Sequence, residues 1–198
     1  MPFLWYNARM GKLETEKKTR ALSPKFLDKL RKKSGSIKAS RKMLGPIVIW
    51  NRIRRGNLRC KHCYSTSLDI DFKDELTTKQ IKATIDDLKV AQVPVLILSG
   101  GEPLLRPDIY EITAYAKAKG FYVALSTNGT LIDESNIEKI KAADYQYVGI
   151  SIDGLEEFHD EFRRQQGSFK TSMHAIKLCK EAGIKPIIGM EAYMSPHP

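Results

Sequence analysis

Cys60 and Cys63 stand two residues apart in the stretch Arg55-Gly56-Asn57-Leu58-Arg59-Cys60-Lys61-His62-Cys63-Tyr64, and they are two of the chain's three cysteines. Two thiolates in a tight turn grip one side of a soft metal ion or one edge of an iron–sulfur cluster, and neither site is complete with two ligands. A cysteine four residues before Cys60 would make the C-x3-C-x2-C spacing that holds three irons of a four-iron cluster; that position is Gly56. A structural zinc site asks for four ligands, and the sequence offers no second cysteine pair to supply them.

Further along, polar and glycine-rich stretches each close an apolar run: Ser99-Gly100-Gly101-Glu102-Pro103, Ser126-Thr127-Asn128-Gly129, and Ser151 with Asp153-Gly154. The runs themselves read as strands. Ile47–Trp50 is a continuous β-branched stretch of the kind buried on both faces, and Val95–Leu98, Tyr122–Ser126, Tyr147–Ile152 and Lys185–Met190 follow at regular intervals. Between them, apolar residues at helical spacing predict helices over Leu76–Val90, Ile109–Lys119, Asn136–Lys141 and Phe169–Ala182. In the first of these Leu76, Ile81, Ile85 and Leu88 share a face, and Thr77 or Thr78 can cap it. Strands alternating with helices imply parallel strands and right-handed crossovers, and such folds gather their chemistry at the carboxyl ends of the strands. The cysteine loop and the three polar stretches therefore fall on one rim. Cys179, among Ile176 and Leu178 on a predicted helix, reads as a small buried hydrophobe, and His159 and His174 as surface helix residues.

With 198 residues and 42% hydrophobic composition the chain can bury a core, and its length suits one domain with a basic leader. No apolar run approaches the roughly 18 residues that span a bilayer. The first residues lack the pattern of a secretory signal, and three cysteines make no disulfide framework, so a reducing cytoplasm is expected. Much of the net charge of +10 lies in residues 9–42, where Lys17-Lys18, Arg31-Lys32-Lys33 and Arg41-Lys42 accumulate without interleaved aromatics. That pattern favours a solvated arm over residues 1–44; a site for nucleic acid or an anionic cofactor is the weaker reading. Within the arm, Leu22, Phe26, Leu27 and Leu30 after Ser23-Pro24 predict a short amphipathic helix.

Taken in order, these stretches resemble the radical S-adenosylmethionine enzymes, most closely those that modify a siroheme-derived tetrapyrrole on the way to heme d1, with related members on the heme b route. The likeness is carried by Gly45-Pro46-Ile47-Val48-Ile49-Trp50-Asn51, the Arg-Arg-x-Asn-Leu-x-Cys-x-His-Cys-Tyr-Ser stretch, Leu96 to Pro107, Ala124 to Thr130, and Val148 to Gly154. The resemblance implies an α/β fold, a partial (βα) TIM-like barrel over residues 45–190 with about five of six strands. It implies a 4Fe-4S cluster and S-adenosylmethionine as cofactors, a tetrapyrrole substrate, and a reductant such as a flavodoxin or ferredoxin. Carried over by position, Cys60 and Cys63 are cluster ligands, and His62 fills the usually aromatic position whose backbone lies against the adenine. Gly100, Gly101, Glu102 and Pro103 match the segment that meets the methionine amino group. Ser126 and Asn128 fall near the cofactor, Ser151 and Asp153 near the ribose, and Arg163 pairs with the methionine carboxylate. No catalytic side chain is assigned.

Two departures stand against this likeness. Gly56 removes one of three thiolates, and no nearby Cys, His or carboxylate in the loop replaces it. The family's barrel has six strand–helix units, whereas this sequence stops just after strand five with an atypical tail over 191–198, which reads as truncated or frame-shifted. The expectation is a radical S-adenosylmethionine protein of tetrapyrrole biosynthesis in an impaired copy. A non-catalytic remnant that binds S-adenosylmethionine or a tetrapyrrole, and a basic nucleic-acid-binding protein, are the alternatives.

Overall fold

In the computed structural model, the described residues are Leu4–Tyr6, 45–51, 53–61, 63 and 68–189. The helix expected in the basic arm, His62 and the 191–198 tail lie outside them. The apolar runs form one parallel sheet of β1 (Leu4–Tyr6), β2 (Ile47–Asn51), β3 (Val95–Ser99), β4 (Tyr122–Thr127), β5 (Val148–Ser151) and β6 (Pro186–Gly189). Each strand pairs with the next in chain order, and every pair is parallel. A doubly wound sheet reverses its strand order at a switch point, whereas an order that never reverses curls one way, as in a barrel. The fold is thus the α/β partial barrel expected. β1 is an addition: Leu4, Trp5 and Tyr6 pair with Val48, Ile49 and Trp50, in a stretch read from sequence as part of the arm.

The helices are α1 (Thr78–Val90), α2 (Ile109–Ala118), α3 (Ile137–Ala143), α4 (Glu156–Arg163) and α5 (Ser168–Glu181). Thr77 caps α1: its hydroxyl accepts from the Gln80 N–H and the Gln80 side chain accepts from the Thr77 N–H, a reciprocal box. Leu76 lies ahead of the cap and is exposed, so the buried face of α1 is carried by Ile81 and Ile85 without it. One face of the sheet is sealed: Leu96, Leu98, Val148 and Ile150 pack in one core with Ile81, Ile85, Ile109, Ile112, Ile140 and Ala175. The alternate positions Val95, Ile97, Ser99, Ser126, Gly149 and Ser151 are only half-buried. Ile47–Ile49 are half-buried as well, so β2 is not covered on both faces as its sequence suggested. Toward the carboxyl ends the open face turns polar, and that is where the site lies. Among the described residues no helix is long and apolar enough to cross a membrane.

The sequence sets no range for α4, although His159 reads as a helix residue. Its buried residues are His159, Asp160, Phe162 and Arg163, mostly polar, whereas Leu155 and Phe158, at helical spacing with Phe162, are exposed. His159, expected on the surface, is 1% exposed, because its ring nitrogen is needed inside to accept a backbone N–H. His174 is on the surface as expected, beside Glu134 at 2.9 Å, and Cys179 is fully buried in the core.

Candidate cofactor site

The loop that leaves β2 and carries both site cysteines is held by the ends of β3 and β4 and by the last turn of α4. At the end of β3 the Gly101 N–H donates to the Ile53 carbonyl at 2.6 Å and the Glu102 N–H to the Arg55 carbonyl at 2.9 Å. A Cβ on Gly100 would stand 2.5 Å from the Ile53 carbonyl oxygen, and one on Gly101 would stand 2.3 Å from that of Arg55. Those oxygens are backbone and cannot swing aside, so the glycine pair is required first by the loop's close approach. Pro103 opens a short 3-10 turn, Pro103–Leu105, where its missing N–H is not needed.

Glu102 itself points inward and is fully buried. Its Oε1 accepts from the Leu104 N–H at 3.1 Å and the Thr127 hydroxyl at 2.8 Å, and its Oε2 accepts from the Asn128 N–H at 2.9 Å. Burial pushes the carboxyl above its usual range, while these donors pull the other way. Asn128, 9% exposed, likewise spends its amide on protein: its Nδ2 donates to Asn57 Oδ1 at 2.9 Å. Ser126 and Ser151 keep the half-open face of the sheet, Ser126 opposite Gly149 and Ser151 opposite Gly189.

Beyond β5 the arrangement is ionic. Arg163, in the last turn of α4, forks onto Asp153: Nε bonds Oδ2, and Nη2 reaches Oδ1 at 3.0 Å. The two side chains are 7% and 1% exposed. The remaining nitrogen, Nη1, lies 3.7 Å from Cys60 Sγ. Burial raises the pKa of the Cys60 thiol, and the Arg163 charge opposes that rise. Burial also works against the Arg163 charge, but Asp153 outweighs it and holds the guanidinium firmly protonated. Behind the pair, His159 Nδ1 accepts from the Asp153 N–H at 3.2 Å, which fixes the neutral ring with its proton on Nε2. The last turn of α4 also holds the loop directly, through the Lys61 N–H to the Phe162 carbonyl at 2.8 Å and an ion pair between Lys61 and Glu161.

The structure therefore gathers Cys60, Gly100, Gly101, Glu102, Pro103, Asn128, Asp153 and Arg163 around one loop, with Ser126 and Ser151 on the open face beside it. Asn57, His159 and Thr127 were missed as supporting residues. Asn57 had a signal, since it lies inside the cysteine stretch; His159 had none beyond its proximity to Asp153. Gly56 is buried, with its N–H donated to the Leu68 carbonyl at 3.2 Å. Among the described residues no group of three His, Cys, Asp or Glu side chains is placed to hold a metal ion. The donor set of Cys60 and Cys63 thus does not fit a cluster that takes three protein thiolates.

Comparison with known proteins gives the rim a context. Residues 50–196 match the family model described as the Radical SAM superfamily. The Fe-coproporphyrin III synthase of Methanosarcina barkeri is 47% identical over 140 residues, covering 71% of this chain and 35% of that protein. The pre-heme d1 synthase of Dinoroseobacter shibae is 46% identical over 140 residues, again 71% of this chain and 35% of the other. Among solved structures, anSMEcpe with bound AdoMet aligns at TM-score 0.59 and 25% identity, over 71% of this chain and 42% of that one. Methylornithine synthase shares the fold at TM-score 0.61 and 19% identity, over 85% and 52%. The chain covers only 35% of the length of the two curated relatives.

Proposed function

Because this chain belongs to the radical SAM superfamily, we propose that it is the S-adenosylmethionine-binding part of a protein acting on a siroheme-derived tetrapyrrole in heme d1 or heme formation, impaired in this copy at Gly56. Radical SAM proteins use a 4Fe-4S cluster and S-adenosylmethionine, which together would supply radical chemistry at the substrate. Cys60 and Cys63 alone do not fit that cluster.

The observation that supports the reading is the meeting of the ends of β3, β4 and α4 at the cysteine loop that leaves β2. In this reading the Gly100–Pro103 backbone receives the methionine amino group, while Ser126 and Ser151 line the open face toward the adenosine. Arg163 supplies a fixed positive charge for the carboxylate through its face not engaged by Asp153. The tetrapyrrole rests on the names of the two relatives above. The chain works in the reducing cytoplasm, which suits cysteines that form no disulfide. A flavodoxin or ferredoxin is the electron donor that a completed cluster needs.

Gly56 favours the binding-only form of this function. Calorimetric titration of the metal-free chain with S-adenosylmethionine, and an absorbance titration of Fe-coproporphyrin III followed at its main band, test it. Saturable binding of both, without release of methionine, is expected. An absence of heat at millimolar S-adenosylmethionine would remove the cofactor reading, and an unshifted porphyrin band would remove the tetrapyrrole.

A further inference from the structure

We propose that Glu102, Asn128 and Asn57 form a positioning relay that sets the cysteine-bearing loop from the ends of β3 and β4, committing the side chains of Glu102 and Asn128 to protein and not to a bound cofactor. The relay gives a purpose to the site proposed above and rests on that reading only for what the loop is for.

The relay starts at a carboxylate with no exposed surface. Both oxygens of Glu102 are taken by donors, two of which, the Thr127 hydroxyl and the Asn128 N–H, belong to the end of β4. Those bonds fix the Asn128 backbone, and the Asn128 carbonyl is pinned in turn by the Ser172 hydroxyl at 2.8 Å. The Asn128 side chain then enters a closed ring. Its Nδ2 donates to Asn57 Oδ1 at 2.9 Å, Asn57 Nδ2 donates to Thr130 Oγ1 at 2.8 Å, and the Thr130 hydroxyl donates back to Asn128 Oδ1 at 2.7 Å. The Thr130 N–H reaches the same oxygen at 2.8 Å. Every member of the ring both gives and accepts, so its bonds polarise one another. Asn57 is three residues before Cys60 and one after Gly56. The ring thus grips the loop between its two ends, while the Gly101 and Glu102 amides hold its start through Ile53 and Arg55.

Those two amides make the test direct, because they are protected only while the loop is docked. Hydrogen exchange is followed in the full metal-free chain, so the result needs neither iron nor S-adenosylmethionine. Failure of the chain to bind S-adenosylmethionine would overturn the functional reading and leave this measurement unaffected. Asn57→Ala is expected to speed exchange at Gly101 and Glu102 about tenfold, the effect of losing paired hydrogen bonds, with Leu125 in β4 unchanged. Asn57→Asp, which keeps the acceptor for Asn128, is expected to restore most of the protection. The double variant Asn57→Ala with Asn128→Ala is expected to be no worse than Asn57→Ala alone, as members of one ring require. Unchanged protection at Gly101 and Glu102 in Asn57→Ala, equal acceleration at Leu125, or additive effects in the double variant would each overturn the relay.

Discussion

Replacing Arg163 by Leu removes one half of a buried ion pair and leaves the Asp153 carboxylate without its partner. An exposed pair contributes about 0–1 kcal/mol, but breaking a buried one costs about 3–5 kcal/mol, because the remaining charge has lost its water and gained nothing. Side-chain exposures of 7% and 1% put this pair in the second class. The bond from Arg163 to the Cys60 sulfur, at 3.7 Å, adds little. For a chain of this size the loss corresponds to a fall in Tm of roughly 6–20 °C. Urea unfolding followed by circular dichroism measures it, at a pH well above 6.5 so that His159 does not become charged in the place of Arg163. The double variant Arg163→Leu with Asp153→Leu recovers most of the stability, since two apolar groups replace a pair whose desolvation was itself costly. A loss below about 1 kcal/mol for Arg163→Leu would mean that solvent screens the pair. A double variant as unstable as the single one would mean that the cost lies in packing and not in the stranded charge.

The three thiols differ in accessibility: burial pushes Cys179 up to about 11, so iodoacetamide at neutral pH should modify the half-buried Cys60 and Cys63 well before it, and early labelling of Cys179 would contradict the core placement. Burial first, and then the Arg163 charge, hold His159 below its ordinary 6.5. As pH falls below that value the unfolded chain takes a proton that the folded chain refuses, so this contribution to stability is present above 6.5 and is lost below it. His159→Gln should flatten the decline of the urea midpoint between about pH 7 and pH 5, and an unchanged slope would assign the decline to other groups.

Much of this architecture was legible because buried parallel strands are written as short apolar runs, and because polar residues at their carboxyl ends mark one rim. Side-chain direction was not legible. Glu102 and Asn128 were correctly placed on the rim, but nothing in Gly100-Gly101-Glu102 or Thr127-Asn128 tells whether a side chain faces a ligand or the protein interior. The glycine pair was matched to the segment that meets the methionine amino group, and nothing in its sequence showed that the backbone of Ile53 and Arg55 packs directly against it. α4 was given no range although His159 was read as a helix residue and Phe158 and Phe162 at i, i+4 and the acidic first turn were available signals; what was not legible is that His159, Asp160 and Arg163 are buried beside Phe162. Leu4–Tyr6 escaped for another reason. Three residues carry no periodicity, and their pairing with Val48–Trp50 is a tertiary choice.

The most direct test of the account is the iron content of two chains reconstituted without oxygen, the natural sequence and Gly56→Cys. Gly56 lies in a loop already held by the ends of β3, β4 and α4, so a thiol there meets a shape set by Gly101, Asn57 and Lys61. The account predicts about four irons and four sulfides per chain for Gly56→Cys, the content of one 4Fe-4S cluster. It predicts clearly fewer for the natural sequence, where Cys60 and Cys63 supply only two thiolates. Equal loading of both chains would mean that another group already serves as third ligand, and would contradict the claim that this loop is one thiolate short.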